Sequence, residues 1–328
     1  MAEAMSFGVL NYSGMLFNHG NTKTPLSSMI GGRQKVTDHV EFAMGQEYTA
    51  GGGAQPAISE SASLTAPAVT NVTRTQETNV CQIYHEAVGI SYGKQSNMGT
   101  LSGINVANQQ ANPMNELDFQ IAAKMQKIAN DIEYTFINGV YNKATKDTEV
   151  NKTRGLVTGI TSNAIAVGGK ELGIWKVAEG LEAIAGQHAD TEGLVLLCDA
   201  KTLFQLNADA VSQGMLVPEA NRELGGIAMK AIMTPLGVVY LALGEYLPAG
   251  TALLLNVSAI SPVHQNVPGK GNFFYEELAK TGAGTKGQIF GQIGLDYGME
   301  WMHAKFTGIA TTFTAPEAKK VKVIGAGA

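Results

Sequence analysis

Val36-Thr37-Asp38-His39-Val40-Glu41-Phe42-Ala43-Met44 and Val72-Thr73-Arg74-Thr75-Gln76-Glu77-Thr78-Asn79-Val80-Cys81-Gln82-Ile83 are two alternating runs. Between them lies a soft stretch with Gly51-Gly52-Gly53, Pro56 and a Ser- and Ala-rich segment up to Pro67. Alternation on both sides of a turn-rich centre predicts the legs of a long hairpin. Most positions in both legs are polar, many of them Thr, Gln and Asn. A two-stranded ribbon with so little apolar surface does not stand alone in water. The rest of the chain offers no obvious bed for it, so the expected support is a neighbouring copy. That points to a shell or fibre subunit and away from a self-contained enzyme.

Charge sharpens this reading. Within residues 36–93 the acids are Asp38, Glu41, Glu47, Glu60, Glu77 and Glu86, against the single base Arg74. This excess equals the net charge of the whole chain, −5, so the remainder is neutral. An acidic ribbon that docks calls for cationic partners. Lys124, Lys127, Lys143, Lys146, Lys152 and Arg154 are the candidates. Inter-subunit contact is therefore expected between Asp38, Glu41, Glu47, Glu77 and Glu86 on one side and Lys124, Lys127, Lys143, Lys146 and Arg154 on the other.

Outward from the hairpin, residues 1–35 read as an extended arm. Phe7, Val9, Leu10, Met15, Leu16, Phe17, Leu26, Met29 and Ile30 are too many apolar groups for a solvated tail. The clearest helix is predicted over 113–142, with Asn112 as cap and Pro113 in the first turn. Leu117, Ile121, Met125, Ile128, Ile132, Phe136 and Val140 form its apolar stripe. A short strand is expected at 155–160. Residues 171–261 read as a compact α/β unit. Its helix over 172–186 has Leu172, Trp175, Leu181 and Ile184 inward. A buried strand follows at 194–197, then a second helix capped by Asp199. A hairpin lies around Pro235-Leu236-Gly237, and a last strand covers 251–260. From 289 to 301 the odd positions are apolar except Gly291, which predicts a long half-buried strand packed against the long helix. The fold class is α+β.

The 328 residues are 45% hydrophobic and only 16% charged, which suits a chain that buries surface against partners. No apolar run reaches the length of a membrane span, and the first residues do not resemble a secretory signal. The four N-x-S/T triplets, from Asn11, Asn71, Asn151 and Asn256, are accordingly read as chance. Cys81 and Cys198 are expected as reduced, structural thiols. Gly282-Ala283-Gly284-Thr285-Lys286-Gly287 matches G-x-G-x-x-G, but the residues after it alternate as a strand, so a glycine-rich turn is expected and no cofactor site. None of the six histidines has a partner at helical metal-ligand spacing, so no metal site is expected. His303 falls on the inward parity of the last strand, near its exposed end, as a structural histidine. Asp131 with Glu133, and Glu276 with Glu277, read as solvated or interface charges, and no catalytic residue is assigned.

The order of arm, hairpin, long helix, compact unit and closing strands resembles the major capsid protein of tailed bacteriophages with the Hong Kong 97-type fold. Thr73-Arg74-Thr75-Gln76, Asn115-Glu116-Leu117 through Asp131-Ile132-Glu133-Tyr134, Arg154-Gly155-Leu156, and Glu276-Glu277-Leu278-Ala279-Lys280-Thr281-Gly282 with Gly287-Gln288-Ile289 are similar to the SU-ten-type podovirus branch. The likeness covers about residues 30–313. It implies an N-terminal arm at 1–35, an extended loop at 36–93, and a peripheral domain at 94–170 with the spine helix. It further implies an axial domain at 171–261, peripheral closing strands at 262–314 and a C-terminal tail at 315–328. The implied function is self-assembly into hexamers and pentamers of an icosahedral shell around double-stranded DNA, contacted non-specifically. The implied partners are a portal and a scaffolding protein, with a decoration protein left open, and assembly is implied to take place in the cytoplasm of the bacterial host. No long charged helix stands ahead of residue 30, so a separate scaffold or a processed chain is expected. Some relatives cross-link through a lysine in the extended loop. Here the nearest are Lys35 and Lys94, at its base, so non-covalent packing is expected. Two other readings are an encapsulin-like compartment, whose usual inner-wall helix residues 1–35 do not match in period, and a metabolic α/β enzyme using the 282–287 loop.

Overall fold

The computed structural model describes residues 23–48, 53, 55, 57–96, 116–212, 222–224 and 227–313. Most of the expected arm, the caps at Asn112 and Pro113, the tip glycines Gly51 and Gly52, and the tail from 315 lie outside the described residues. In chain order the elements are α1 (Pro25–Ile30), β1 (Lys35–Thr37), β2 (Glu41–Tyr48), α2 (Glu60–Ser63), β3 (Arg74–Val80), β4 (Gln82–Ser91), α3 (Tyr92–Ser96) and α4 (Glu116–Asn138). Then follow α5 (Leu156–Gly159), β5 (Ala164–Ala166), α6 (Ile174–Gly186), β6 (Leu194–Cys198), α7 (Ala200–Ser212), β7 (Arg222–Leu224), β8 (Ile227–Thr234) and β9 (Gly237–Leu243). The last are β10 (Thr251–Leu255), β11 (Ser261–Gln265), β12 (Phe274–Glu277), β13 (Gly284–Asp296) and β14 (Ala304–Thr307).

A seven-stranded mixed sheet has the order β5-β14-β10-β6-β9-β8-β7. All five residues of β6 are buried, because helices or loops cover both faces of the sheet. On one face Val177, Leu181 and Ile184 of α6 and Leu206 and Ala210 of α7 meet Leu194, Leu196, Leu254 and Phe306. The other face carries Val195, Leu197, Leu253 and Leu255 into a second core with Leu26, Ile30, Phe136, Leu156, Ile160, Leu295 and Tyr297. Asp199 caps α7 by accepting the Thr202 N–H at 2.8 Å. The sheet draws in β5 and β14, from outside the expected 171–261 unit. β14 thus leaves the closing strands and lies between β5 and β10.

In the other large sheet β13 is the central strand. β4 runs antiparallel along one edge of it, from Gly284↔Ser91 to Ile293↔Gln82. β12 and β11 share the opposite edge, and β1 adds to β11 in parallel. Ile289, Ile293, Leu295 and Tyr297 point inward as the parity predicts. The strand stops at Asp296, however, short of the expected Trp301. Asp296 Oδ1 accepts the Gly298 N–H at 2.9 Å, Gly298 takes a positive φ of 67°, and residues 300–302 form a 3-10 turn. Helix α4 lies across β4 and β13.

The expected hairpin divides. Residues 35–37 belong to the large sheet, and a bend at 38–40 precedes β2. The ribbon proper is β2–β3, and the chain then enters β4. Four local expectations are corrected. Residues 155–160 hold the helical turn α5, since Leu156 and Ile160, both fully buried, stand four apart and Ile160 N–H bonds Leu156 O at 3.0 Å. Trp175 is 72% exposed, because the buried stripe of α6 is Ile174, Val177, Leu181 and Ile184, one position out of phase with it. Met125 and Val140 also face outward, Val140 lying beyond the end of α4. The strand expected over 251–260 ends at Leu255, where Asn256 caps a 3-10 turn.

Candidate assembly site

The ribbon is rooted by one buried amide. Asn79 Nδ2 donates to Leu295 O at 2.7 Å and to Arg154 O at 3.2 Å, while its Oδ1 accepts the Arg154 N–H at 2.8 Å and the Val80 N–H at 2.9 Å. Every polar atom of the side chain is thereby used. β3 is thus tied to β13 and to the loop after α4. Phe42 of β2 completes the root, its ring lying where a Cβ on Gly294 would stand.

One step outward the register shifts. Ala43 pairs with Thr78 but Gln46 with Gln76, so Met44 and Gly45 together face Glu77 in a β-bulge. Beyond it the ribbon leaves the body and its side chains are exposed. Leu64 is 87% and Val69 90% exposed, and Tyr48, Ile58 and Val72 are exposed too, so the chain's own described residues do not cover them.

Most of the charges singled out in the sequence do meet, but inside one chain. Lys124 Nζ lies 2.9 Å from Glu86 and Lys127 bonds the other carboxylate oxygen. These lysines hold the Glu86 carboxyl below its usual range, Lys127 foremost. Lys143 lies 2.5 Å from Glu41 and depresses it likewise, aided by the Thr78 hydroxyl. Arg154 sits 3.7 Å from Glu77, with its guanidinium 4.8 Å above the Tyr141 ring and Nη1 3.4 Å from the Tyr297 hydroxyl. These pairs fasten the ribbon root and β4 to α4 and the loop after it, so a neighbour is not needed to neutralise them. Among the described residues Asp38 has only the exposed His39 at 3.8 Å. Glu47, Lys146 and Lys152 have no ion partner among the described residues.

Two buried ionisable groups are structural. Glu133, expected as a solvated charge, is fully buried and holds the start of α1. Its Oε1 accepts the Leu26 N–H and its Oε2 the Ser27 N–H, both at 2.8 Å, with the Ser27 hydroxyl at 2.5 Å. Burial raises its pKa, and these donors oppose the rise. His303 is fully buried, not near an exposed strand end. Its Nε2–H donates to Tyr297 O at 2.7 Å and Nδ1 accepts the Asn256 N–H at 3.1 Å. A second proton would confront that N–H, and burial lowers the pKa to about 4. Asn79 and Glu133 carry no local sequence signal, since, Val80 apart, their partners lie 75 to 216 positions away.

The 282–287 loop runs into β13, where a Cβ on Gly284 would lie 2.6 Å from Ile90 O. That glycine serves close strand approach, and no helix N-terminus receives a phosphate. Burial pushes the Cys81 thiol up to about 12, and Cys198 is raised too by its surroundings and Asp199. Both are far from the thiolate a nucleophile requires. Among the described residues no three His, Cys, Asp or Glu side chains group as a metal would need, and no helix is long and apolar enough to cross a membrane.

Comparison with known proteins fits this geometry. The chain resembles the subunit of the holo-SrpI encapsulin complex from Synechococcus elongatus PCC 7942, at 12% identity and TM-score 0.64, covering 94% of this chain and 96% of that one. It resembles the capsid of cyanophage A-1(L) at 12% identity and TM-score 0.63, over 90% of this chain and 95% of that one. The capsid of cyanophage P-SCSP1u is similar at 9% identity and TM-score 0.54, over 92% of both chains. These likenesses establish the Hong Kong 97-type fold. No curated protein sequence matches the chain. The family model described as SU10 major capsid protein matches residues 2–310. The chain therefore belongs to the SU10 major capsid protein family, and its role is that of a structural capsid subunit.

Proposed function

We propose that the chain assembles into hexamers and pentamers of an icosahedral head enclosing the double-stranded DNA of a tailed bacteriophage. The observation that carries this is the ribbon beyond the bulge, whose apolar residues Ile58, Leu64, Val69 and Val72 stand exposed on a chain of a capsid family. Laid over a neighbour, that surface would be covered. The seven-stranded unit, with α6 and α7, serves as the axial domain at the capsomer centre. The large sheet with α4 serves as the peripheral domain. Among the described residues, Asp38 has a close opposite charge only in His39 and Glu47 and Lys146 have none, so these members of the expected charge set are the ones offered for contacts between subunits. A portal and a scaffolding protein complete the assembly in the host cytoplasm. DNA meets the inner wall without sequence preference, as a net charge of −5 allows.

Leu64→Asp with Val69→Asp tests this. The two residues make no contribution to the chain's own core, so the thermal midpoint of the soluble subunit stays within about a degree. Particle yield falls by at least tenfold. Particle yield equal to the parent's would remove the ribbon from the interface. The encapsulin likeness keeps one other reading in view, a compartment for protein cargo. Purified particles that contain nucleic acid favour the head, and particles that contain only a second protein favour the compartment.

A further inference from the structure

β4 has a free edge. Its inner edge is paired with β13 over ten residues, and no described strand pairs with the outer one. The parity of that edge is fixed by the Tyr92 N–H, which donates to Ala283 O at 3.2 Å one register step beyond the last ladder pair. Hydrogen-bonded positions alternate in an antiparallel pair. The even residues of β4 therefore bond β13, and Ile83, His85 and Ala87 turn their N–H and C=O groups outward. An unpaired edge of this length is a template for another strand. Beside it, between residues 82–86 and α4, runs an open groove of about 340 Å³ lined in part by Ile83, Ile128, Asp131 and Tyr134. Ile83 and Tyr134 are both more than half exposed, at 55% and 56%.

We propose that this edge and groove dock the chain's own residues 7–12, Phe7-Gly8-Val9-Leu10-Asn11-Tyr12, as an added strand. Residues 1–22 precede the described chain and carry one formal charge, Glu3, with apolar groups throughout. They arrive at the right place. The chain enters the fold at α1, whose first N–H groups are held by Glu133, in the same turns of α4 as Ile128, Asp131 and Tyr134. The thirteen residues from 12 to 25 span about 40 Å when extended, and the helix to be crossed is only about 10 Å thick. The segment is strand-like and uncharged. It leaves the Glu86 ion pairs undisturbed, and Leu10 and Tyr12 share one face of the added strand.

Ala87→Pro separates this from a bare edge. Proline at Ala87 removes only an outward N–H and leaves the ladder to β13 intact, which an edge strand tolerates. Hydrogen exchange by mass spectrometry on the full chain, dilute and unassembled, gives the readout. The expected result is that peptides within residues 5–17 exchange at least tenfold more slowly than an unstructured chain in the parent and in Ala87→Ser. In Ala87→Pro this protection disappears while peptides from β13 stay protected. Free exchange of residues 5–17 in the parent would overturn the proposal, as would protection that survives Ala87→Pro. Protection that appears only at concentrations where copies associate would overturn it too, because the strand would then belong to a neighbour. The readout requires no shell, so it stands apart from the capsid assignment.

Discussion

Asn79, Glu133 and His303 are polar side chains fully or almost fully removed from water, and each is held at least in part by backbone groups distant in sequence. Asn79 fixes where the ribbon leaves the body, and Glu133 fixes where the chain enters it. His303 ties the end of β13 to the turn after β10 through Tyr297 O and the Asn256 N–H. Its titration makes a pH prediction. The native imidazole has a pKa of about 4, below the usual 6.5. Between these values the unfolded chain binds a proton that the native chain does not, so stability falls as the pH drops from 6.5 towards 4 and levels off below. The loss attributable to this group is roughly 3 kcal/mol. Urea midpoints of the soluble subunit across this range measure it, with His303→Gln giving a shallower slope. An equal slope in both proteins would show that other groups carry the acid sensitivity. The parity of β13 made the histidine visible in the sequence, but its depth depended on β14 turning into the other sheet, which no local pattern announced.

Among the elements, α4 and its C-terminal junction decide how the two sheets are joined. The helix was readable because its apolar residues recur at three and four. Its outer face was less so, and Met125 lies outside the buried stripe because β4 and β13 cover only part of the helix. The turn α5 was misread as a strand because six residues are too few to separate a period of two from one of four. What the sequence does not display there is a backbone crossing. Gly155 N–H donates to Gly139 O at 2.9 Å, and a Cβ on Gly155 would stand 2.5 Å from Gly139 N and 2.7 Å from Thr135 O. These are backbone atoms and cannot swing aside. Gly155→Ala is therefore expected to cost about 3 kcal/mol, seen as a lower urea midpoint and faster cleavage after Lys143 or Lys146. A midpoint within 0.5 kcal/mol of the parent would mean that the crossing relaxes at little cost.

At the scale of the whole molecule, the order of ribbon, long helix, compact sheet and long closing strand was legible, because each announces itself by length or period. Sheet membership was not. β1, β5 and β14 are only three or four residues long, and their places are set by partners far along the chain. Charge proximity was legible as well, since the acids and bases near the ribbon root do converge, but composition cannot tell contacts within a chain from contacts between chains. Within one chain Glu41, Glu77 and Glu86 already meet Lys143, Arg154, Lys124 and Lys127, while Leu64 and Val69 of the ribbon stay exposed. The most direct measurement is cryo-electron microscopy of particles formed by the full chain expressed with its scaffold. The account predicts closed icosahedral shells of hexamers and pentamers, with density for β2–β3 lying across an adjacent subunit. Shells in which every ribbon contacts only its own subunit, or a chain that stays monomeric at high concentration and binds a small ligand, would contradict it.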